Sequence, residues 1–277
     1  MHFPKITLAL ISSFLALSAL GQTPKGEITP GAWVHTPESS EQVMRGAQVA
    51  LPASLTQAGI YLGALKDAPP VSKSQVPVVV FMHGSSGLGL KAIGEWQRWL
   101  AGMGIASIAP DSFGLKNRMT YSSPIDKAHY EKVHALRASE IGLTLQTLRN
   151  LPWADPAKWV LAGTSEGSVP VARHTGKEFI GRILFAWSCE DNYFVESHQT
   201  AIPDDQPVLN IISATDPFFS PSNTWIGNPN AAGHCGAALK NNKKASMVLI
   251  PGGPHTVLMF PQAKGPVEGF LKDLFKI

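Results

Sequence analysis

The sequence predicts an α/β fold in which a mainly parallel central sheet carries helices on both faces. Apolar, β-rich runs alternate with helical segments along most of the chain, as in successive strand–helix–strand units. The run 76–82 (VPVVVFM) is continuously apolar, as expected of a strand buried on both faces. The chain has 277 residues, 44% of them hydrophobic, which is enough for a substantial core.

The first 21 residues have the features of a cleaved signal peptide. A short basic start, with His2 and Lys5, precedes an apolar run over 6–20, and Ala19 and Gly21 place small residues where a signal peptidase cuts. An uncleaved membrane anchor is the alternative, but the apolar run is short for a bilayer span. The sequence therefore predicts export, to the periplasm or the medium in a bacterium, and one domain over 22–277.

Composition narrows the range of partners. The formal charge is +3, 16% of residues are charged, and no basic run exceeds Lys243-Lys244, so nucleic acid is not an expected partner. No later run is long and apolar enough to cross a bilayer. No metal-ligand spacing such as HExxH occurs, and neither a metal nor an organic cofactor is expected. The oligomeric state is left open.

The elements of the first half follow from periodicity. Short antiparallel strands are expected at 48–51 and 59–65, a buried strand at 76–82, a helix at 93–103, a strand at 104–110 and a helix at 125–150. Trp33 is expected to pack rather than to line a cleft, and Asp111 to cap the turn after the strand 104–110. Several polar side chains of the long helix are expected on a solvated or hydrogen-bonded face: His129, His134, Arg137 and Glu140.

The second half continues the alternation. An apolar strand ends at Gly163, and a short helix follows over 168–174. Strands are expected at 181–187, 207–214 and 246–250, and a closing helix at 262–275. The parallel order of these strands would bring the loops after them to one edge of the sheet.

A serine between two glycines marks the end of the strand that stops at Gly163. The pentapeptide 163–167 (GTSEG) has the pattern G-x-S-x-G, which places a serine on a strained strand-to-helix turn with its hydroxyl exposed. Glycines suit the flanking positions because side chains there would collide with neighbouring backbone. By itself the pattern is weak, since a glycine–serine turn of any α/β protein would look the same. The pattern makes Ser165 a candidate nucleophile.

An acid and a histidine follow Ser165 in the order that such a site requires. Asp216 comes directly after the strand 207–214, and His255 follows the strand 246–250. The predicted triad is therefore Ser165, Asp216 and His255. Glu190 and Asp191 also follow a strand end and are rival acids.

The loop after the strand 76–82 is expected to complete an oxyanion hole. The backbone N–H of Ser85 would join that of Glu166, the residue after the nucleophile, to stabilise charge developing on a carbonyl oxygen. His83 precedes this glycine-rich loop and is expected to hydrogen-bond to backbone rather than to act as a base. The Glu166 side chain is expected to bond to nearby backbone or arginine.

The two cysteines, Cys189 and Cys235, are expected to form a disulfide. An even count in an exported chain favours pairing, and both lie in loops at the edge where strands end. The alternative is two free thiols too far apart to pair. A bridge would brace the loop that carries the acid.

These segments together resemble an α/β-hydrolase and, within that superfamily, the dienelactone hydrolase family. The resemblance spans about 200 residues from Val76 onward and rests on VVVFMHGSSG, IASIAPDSFG, PWADPAKWVLAGTSEGS and the strand-end acid and histidine. It implies a serine hydrolase that cleaves carboxylic esters through an acyl-enzyme. The namesake enzymes are cytosolic and use a cysteine nucleophile, whereas position 165 is serine and a signal peptide is expected. Peptidase, lactone-hydrolase, haloperoxidase-like or lyase chemistry on the same residues, or a non-catalytic binding protein, are the alternatives.

Aromatic residues in the strand-end loops are the candidates for contact with an apolar or aromatic ester, small or polymeric. They are Trp187, Tyr193, Phe218, Phe219 and Trp225. Each could instead pack its own loop. The segment 217–244, rich in Asn and Gly, is long for a loop and is expected to form a lid or a brace.

Overall fold

The computed structural model describes residues 24–277, so the expected signal peptide over 1–21 lies outside the described residues. The strands are β1 Ile28–Thr29, β2 Gln48–Leu51, β3 Tyr61–Ala64, β4 Val76–Met82, β5 Ala106–Ala109, β6 Thr120–Tyr121, β7 Ala154–Thr164, β8 Gly181–Phe185, β9 Val208–Ser213 and β10 Ala245–Ile250. The α-helices are α1 Pro37–Arg45, α2 Ala53–Thr56, α3 Lys91–Gly102, α4 Lys127–Arg149, α5 Ser168–Arg173 and α6 Pro261–Phe275.

An eight-stranded sheet organises the chain in the order β10-β9-β8-β7-β4-β5-β2-β3. Neighbours from β10 through β5 pair in parallel, and β2 pairs antiparallel with both β5 and β3. The predicted parallel sheet and its antiparallel N-terminal strands are therefore confirmed. Because carboxyl ends of parallel strands meet at one edge, the loops after β4, β7, β8, β9 and β10 gather there.

The two faces of the sheet are covered by different helices. One apolar layer packs side chains of α1, α4 and α5 against the sheet, and the other packs those of α3 and α6. β4, β8 and the second half of β7 are buried on both faces and contribute to both layers. This arrangement confirms the predicted central sheet with helices on both faces. Across residues 24–277, no helix has the length and apolar character needed to cross a bilayer.

The packing decides between the two alternatives for the polar face of α4, and it corrects the expectation for Trp33. Of the α4 side chains expected on a solvated or hydrogen-bonded face, His134, Arg137 and Glu140 are buried, because α1 and the chain before α4 cover that side. Arg137 and Glu140 are hydrogen-bonded to each other, which is one of the two expected alternatives, whereas both ring nitrogens of His134 are buried without a hydrogen-bond partner. Trp33 is 41% exposed and lies under the ammonium group of Lys132, 4.4 Å from the ring centroid, rather than packing in the core.

Candidate active site

Ser165 occupies the turn between β7 and α5 in a strained backbone conformation. Its φ is +52°, in the left-handed region that residues other than glycine seldom adopt. The turn is tight on both sides. A Cβ at Gly163 would lie 2.4 Å from the Gly167 carbonyl oxygen, and one at Gly167 would lie 2.1 Å from that of Met82. The glycines are thus sterically required, as the sequence pattern predicts.

Gly167→Ala should lower the free energy of unfolding by about 1–3 kcal/mol, because its methyl group would force β4 and the turn apart. Gly142→Ala is the matched control. Gly142 lies within α4 with open space around the added Cβ, so alanine there should stabilise by up to about 1 kcal/mol. Urea denaturation measures both. Equal stabilisation of the two variants would contradict the close approach at Gly167.

Asp216 and His255 are joined by a direct hydrogen bond. His255 Nδ1 donates to Asp216 Oδ2 over 2.7 Å. Asp216 is fully buried, and its other oxygen accepts from the backbone N–H groups of Phe218 and Phe219 at 2.9 and 3.0 Å. Because an ionised carboxylate only accepts, this bond keeps the proton on Nδ1 and leaves Nε2 of His255 as an acceptor.

Ser165, His255 and Ser85 line one pocket at the carboxyl edge of the sheet. Its volume is about 40 Å³, far below the several hundred Å³ of sites that enclose a drug-sized ligand. The pocket has room for a reacting group, but not for a long acyl chain. Its apolar wall was not anticipated from the sequence and consists of Leu90, Ile93 and Leu258. Their positions just after the glycine-rich loop and just after His255 are the signal that could have identified them.

The loop after β4 packs directly against the nucleophile turn. A Cβ at Gly84 would come within 3.4 Å of the Cβ of Ser165, so the backbone that leads to Ser85 lies beside the serine. His83, before it, donates from Nδ1 to the Gly84 carbonyl at 2.7 Å and accepts at Nε2 from the Ser112 N–H at 3.2 Å. Burial and the nearby Arg137 guanidinium hold the pKa of His83 well below its usual value. His83 therefore stays neutral and binds backbone, as predicted.

Several solved structures share this architecture. A cold-adapted esterase from an Arctic intertidal metagenomic library has a TM-score of 0.51 at 16% identity, over 83% of this chain and 95% of that one. A dienelactone hydrolase-like promiscuous phosphotriesterase from metagenomic libraries has a TM-score of 0.51 at 18% identity, over 83% and 98%. A puromycin-hydrolysing peptidase of Mycobacterium tuberculosis has a TM-score of 0.50 at 16% identity, over 83% and 37%.

The chain has the α/β-hydrolase fold. No protein-family model matches the sequence, and no curated protein does. At these identities the solved structures establish the fold alone, so the chemistry of the site depends on the residues of this chain itself.

The two rival acids are engaged elsewhere in the α/β-hydrolase framework. Glu190 is buried, and its carboxylate accepts from the N–H groups of Ala232 and Gly233 at 2.6 and 3.0 Å. The Asp191 side chain is 61% exposed and pairs with His198 at 3.0 Å. In the described part of the chain, Asp216 is the acid that contacts His255.

The segment 217–244 is braced against the loop after β8. The disulfide between Cys189 and Cys235 joins the two, as expected. Glu190 accepts from two N–H groups of the segment, and Asn210 accepts from the Cys235 N–H at 3.0 Å while its amide donates to the Trp187 carbonyl at 2.9 Å. Of the two expectations for this segment, lid and brace, these contacts describe a brace.

Removing the disulfide should cost about 4 kcal/mol of stability, because it closes a loop of 46 residues in the unfolded chain. The double variant Cys189→Ala/Cys235→Ala is compared with the wild type by urea denaturation, with and without dithiothreitol. Reductant should destabilise the wild type and leave the double variant unchanged. A wild type insensitive to reductant after complete reduction, shown by thiol titration, would contradict this contribution.

Three of the five candidate aromatic residues are half-buried or line a groove, and the other two are core residues. Phe218 and Trp225 are half-buried, and the Phe218 ring lies edge-on to His255 with centroids 4.7 Å apart. Tyr193 and Trp225 line a separate groove of about 640 Å³ beside 24–28 and 124–127. Trp187 and Phe219 are 1% exposed and pack edge to face at 5.1 Å. For these two the structure replaces the expected ligand contact with core packing, because the braced loops turn their side chains inward.

The side chain of Glu166 lies in a buried polar cluster with Arg118, Tyr121, Arg137 and Glu140. It accepts from Arg118 Nη2 at 2.6 Å and from the Tyr121 hydroxyl at 2.8 Å, which confirms the expected arginine partner. Burial and the Glu166 carboxylate raise the pKa of Tyr121 well above its usual value, so its hydroxyl stays a donor. Sequence reasoning missed the extent of this cluster. Among residues 24–277, no group of three His, Cys, Asp or Glu side chains is arranged to hold a metal ion.

Proposed function

We propose that the protein is an exported serine hydrolase that cleaves carboxylic esters through Ser165, His255 and Asp216. The observation that carries the proposal is the Asp216–His255 hydrogen bond, at 2.7 Å, held beside a pocket that Ser165 also lines. With Nδ1 engaged by Asp216, Nε2 of His255 is the ring nitrogen that would take a proton from the Ser165 hydroxyl, which nucleophilic catalysis by serine requires.

In the proposed reaction, the Ser165 hydroxyl attacks the ester carbonyl carbon while His255 Nε2 takes its proton. The carbonyl oxygen becomes an oxyanion, stabilised by the backbone N–H groups of Ser85 and Glu166. Collapse of this intermediate expels the alcohol, which receives the proton from His255, and leaves an acyl-serine. Water then attacks the acyl-serine by the same steps and releases the acid. Buried Asp216 stabilises the imidazolium in both halves.

Two further observations support the ester substrate and the export. The solved structures similar to this chain include an esterase that matches over 95% of its own length, whereas the peptidase matches over 37% of its length. The disulfide fits an oxidising compartment, as export predicts. Because the pocket beside Ser165 is small, we expect short acyl groups to be preferred over long ones.

The test is hydrolysis of p-nitrophenyl esters, from acetate to long acyl chains, by purified protein of residues 22–277. Turnover that is fastest with short chains, together with a stoichiometric fluorophosphonate adduct located on Ser165 by mass spectrometry, is the expected result. If Ser165 is labelled but only peptide amides are hydrolysed, the protein is a peptidase rather than an esterase. The absence of both labelling and turnover would overturn the proposal in favour of a non-catalytic binding protein.

A further inference from the structure

One buried arginine of α4 contacts both loops from which the proposed oxyanion donors come. Arg137 Nη2 donates to the His83 carbonyl oxygen at 2.8 Å, and Arg137 Nε lies 3.5 Å from Glu166 Oε1 in an ion pair. Its side chain is fully buried. His83 lies two residues before Ser85, and Glu166 supplies the second donor with its own backbone. Arg137 thus connects the loop after β4 with the nucleophile turn.

Other members of the cluster hold Arg137 in place. Its Nη1 donates to Glu140 Oε2 at 2.5 Å, and the other Glu140 oxygen lies 3.2 Å from His35 Nε2. The second arginine of the cluster, Arg118, pairs with Glu166 at 2.6 Å and donates to the Ser112 hydroxyl at 2.8 Å. The two guanidinium groups and two carboxylates balance in charge, so the cluster is buried without an unpaired ion.

Stability alone does not account for such a cluster. Taking four charged groups out of water is costly, and well-packed apolar residues in their place are often neutral or stabilising. A guanidinium has donors fixed in a plane, and it can reach a carbonyl and a carboxylate on two different loops at once. A lysine ammonium is a single charged point and lacks this geometry.

We propose that Arg137 is a positioning residue that sets the separation between the Ser85 and Glu166 N–H groups. The inference rests on the proposed ester hydrolysis and adds a residue remote from the reacting atoms. Oxyanion donors act at 2.7–3.1 Å from the oxygen that they stabilise, so a shift of about 1 Å in one loop relative to the other lowers the rate of the chemical step. Binding of the ground-state ester depends less on this separation.

The experiment measures kcat and KM with p-nitrophenyl acetate for Arg137→Gln and Arg137→Lys. We expect kcat to fall about 100-fold in Arg137→Gln with KM changed less than about 3-fold, and Arg137→Lys to recover only part of the loss. Arg173→Gln is the matched control, since Arg173 also pairs with a glutamate of α4, Glu131, at 2.6 Å but lies on α5. It should retain wild-type kcat.

Stability and hydrogen exchange separate positioning from a general loss of folding. Arg137→Gln/Glu140→Gln removes one charge of each sign, and it should show the same fall in kcat with a smaller loss of stability. Hydrogen exchange by mass spectrometry should be faster in the peptides that contain 83–87 and 164–168 than in the wild type and Arg173→Gln, and unchanged in β9.

The outcomes distinguish this inference from the proposed function. A wild type without turnover or fluorophosphonate labelling would defeat the proposed function, while the exchange rates would still report whether Arg137 orders the two loops. The positioning role would be overturned if Arg137→Gln kept the wild-type kcat. It would also be overturned if the peptides that contain 83–87 and 164–168 exchanged at the wild-type rate in that variant. A uniform rise in exchange across the sheet would also overturn it, because the residue would then serve stability alone.

Discussion

Ser165→Ala is expected to lower kcat for p-nitrophenyl acetate by roughly 10⁴- to 10⁶-fold, the range seen when a nucleophilic serine is removed from other serine hydrolases. The reason is that Ser165 lies at the strained turn between β7 and α5, beside the loop after β4, and its hydroxyl is the proposed nucleophile. Fluorophosphonate labelling should be lost with the activity. Initial rates at saturating ester measure the effect.

The fold should survive this change. A second variant at the same position separates the loss of activity more clearly from a change in stability. The left-handed φ of +52° at Ser165 costs strain for alanine as for serine, so Ser165→Ala should unfold at nearly the wild-type temperature. Ser165→Gly relieves the strain and should be more stable than Ser165→Ala by about 1 kcal/mol, though equally inactive. Retained activity in either variant would overturn the assignment of the nucleophile.

Asp216→Asn is expected to lower kcat by roughly 10⁴-fold, as the equivalent change does in another serine hydrolase with this triad. The asparagine oxygen can still accept from the N–H groups of Phe218 and Phe219. Its NH₂ group would then face His255, which would have to accept at Nδ1 and carry its proton on Nε2. In that tautomer the imidazole cannot take the proton of Ser165. The pre-steady-state rate of acylation measures the loss.

Glu190→Gln is the matched control for Asp216→Asn. Glu190 is likewise a buried carboxylate at a strand end that accepts two backbone N–H groups, but it has no contact with His255. It should lower the free energy of unfolding by about 1–3 kcal/mol and leave kcat within a few-fold of wild type. The opposite pattern, with activity lost in Glu190→Gln and kept in Asp216→Asn, would show that the acid is misassigned.

Local pattern was sufficient to predict the eight strands of the central sheet, their mainly parallel arrangement and the order of the candidate residues. Continuous apolar runs encode buried strands, and glycines around Ser165 encode a tight turn, because both depend on near neighbours in the chain. The parallel sheet then places Asp216 and His255 at one edge without further information. The same reasoning placed Cys189 and Cys235 at that edge, and the structure joins them.

Tertiary structure alone decided which polar and aromatic side chains are buried, and against what. Arg137 and Glu140 have the composition of an exposed helix face, yet α1 and the chain around Arg118 enclose them. Glu190 and Asp216 each follow a strand, but only the paths of the loops bring one to His255 and the other to the brace. The physical reason is that the deciding contacts join residues far apart in the chain, such as Arg137 and His83, which are 54 positions apart, and Glu166 and Arg118, which are 48 apart. Periodicity and turn chemistry act over a few residues, so they carry no record of such pairs.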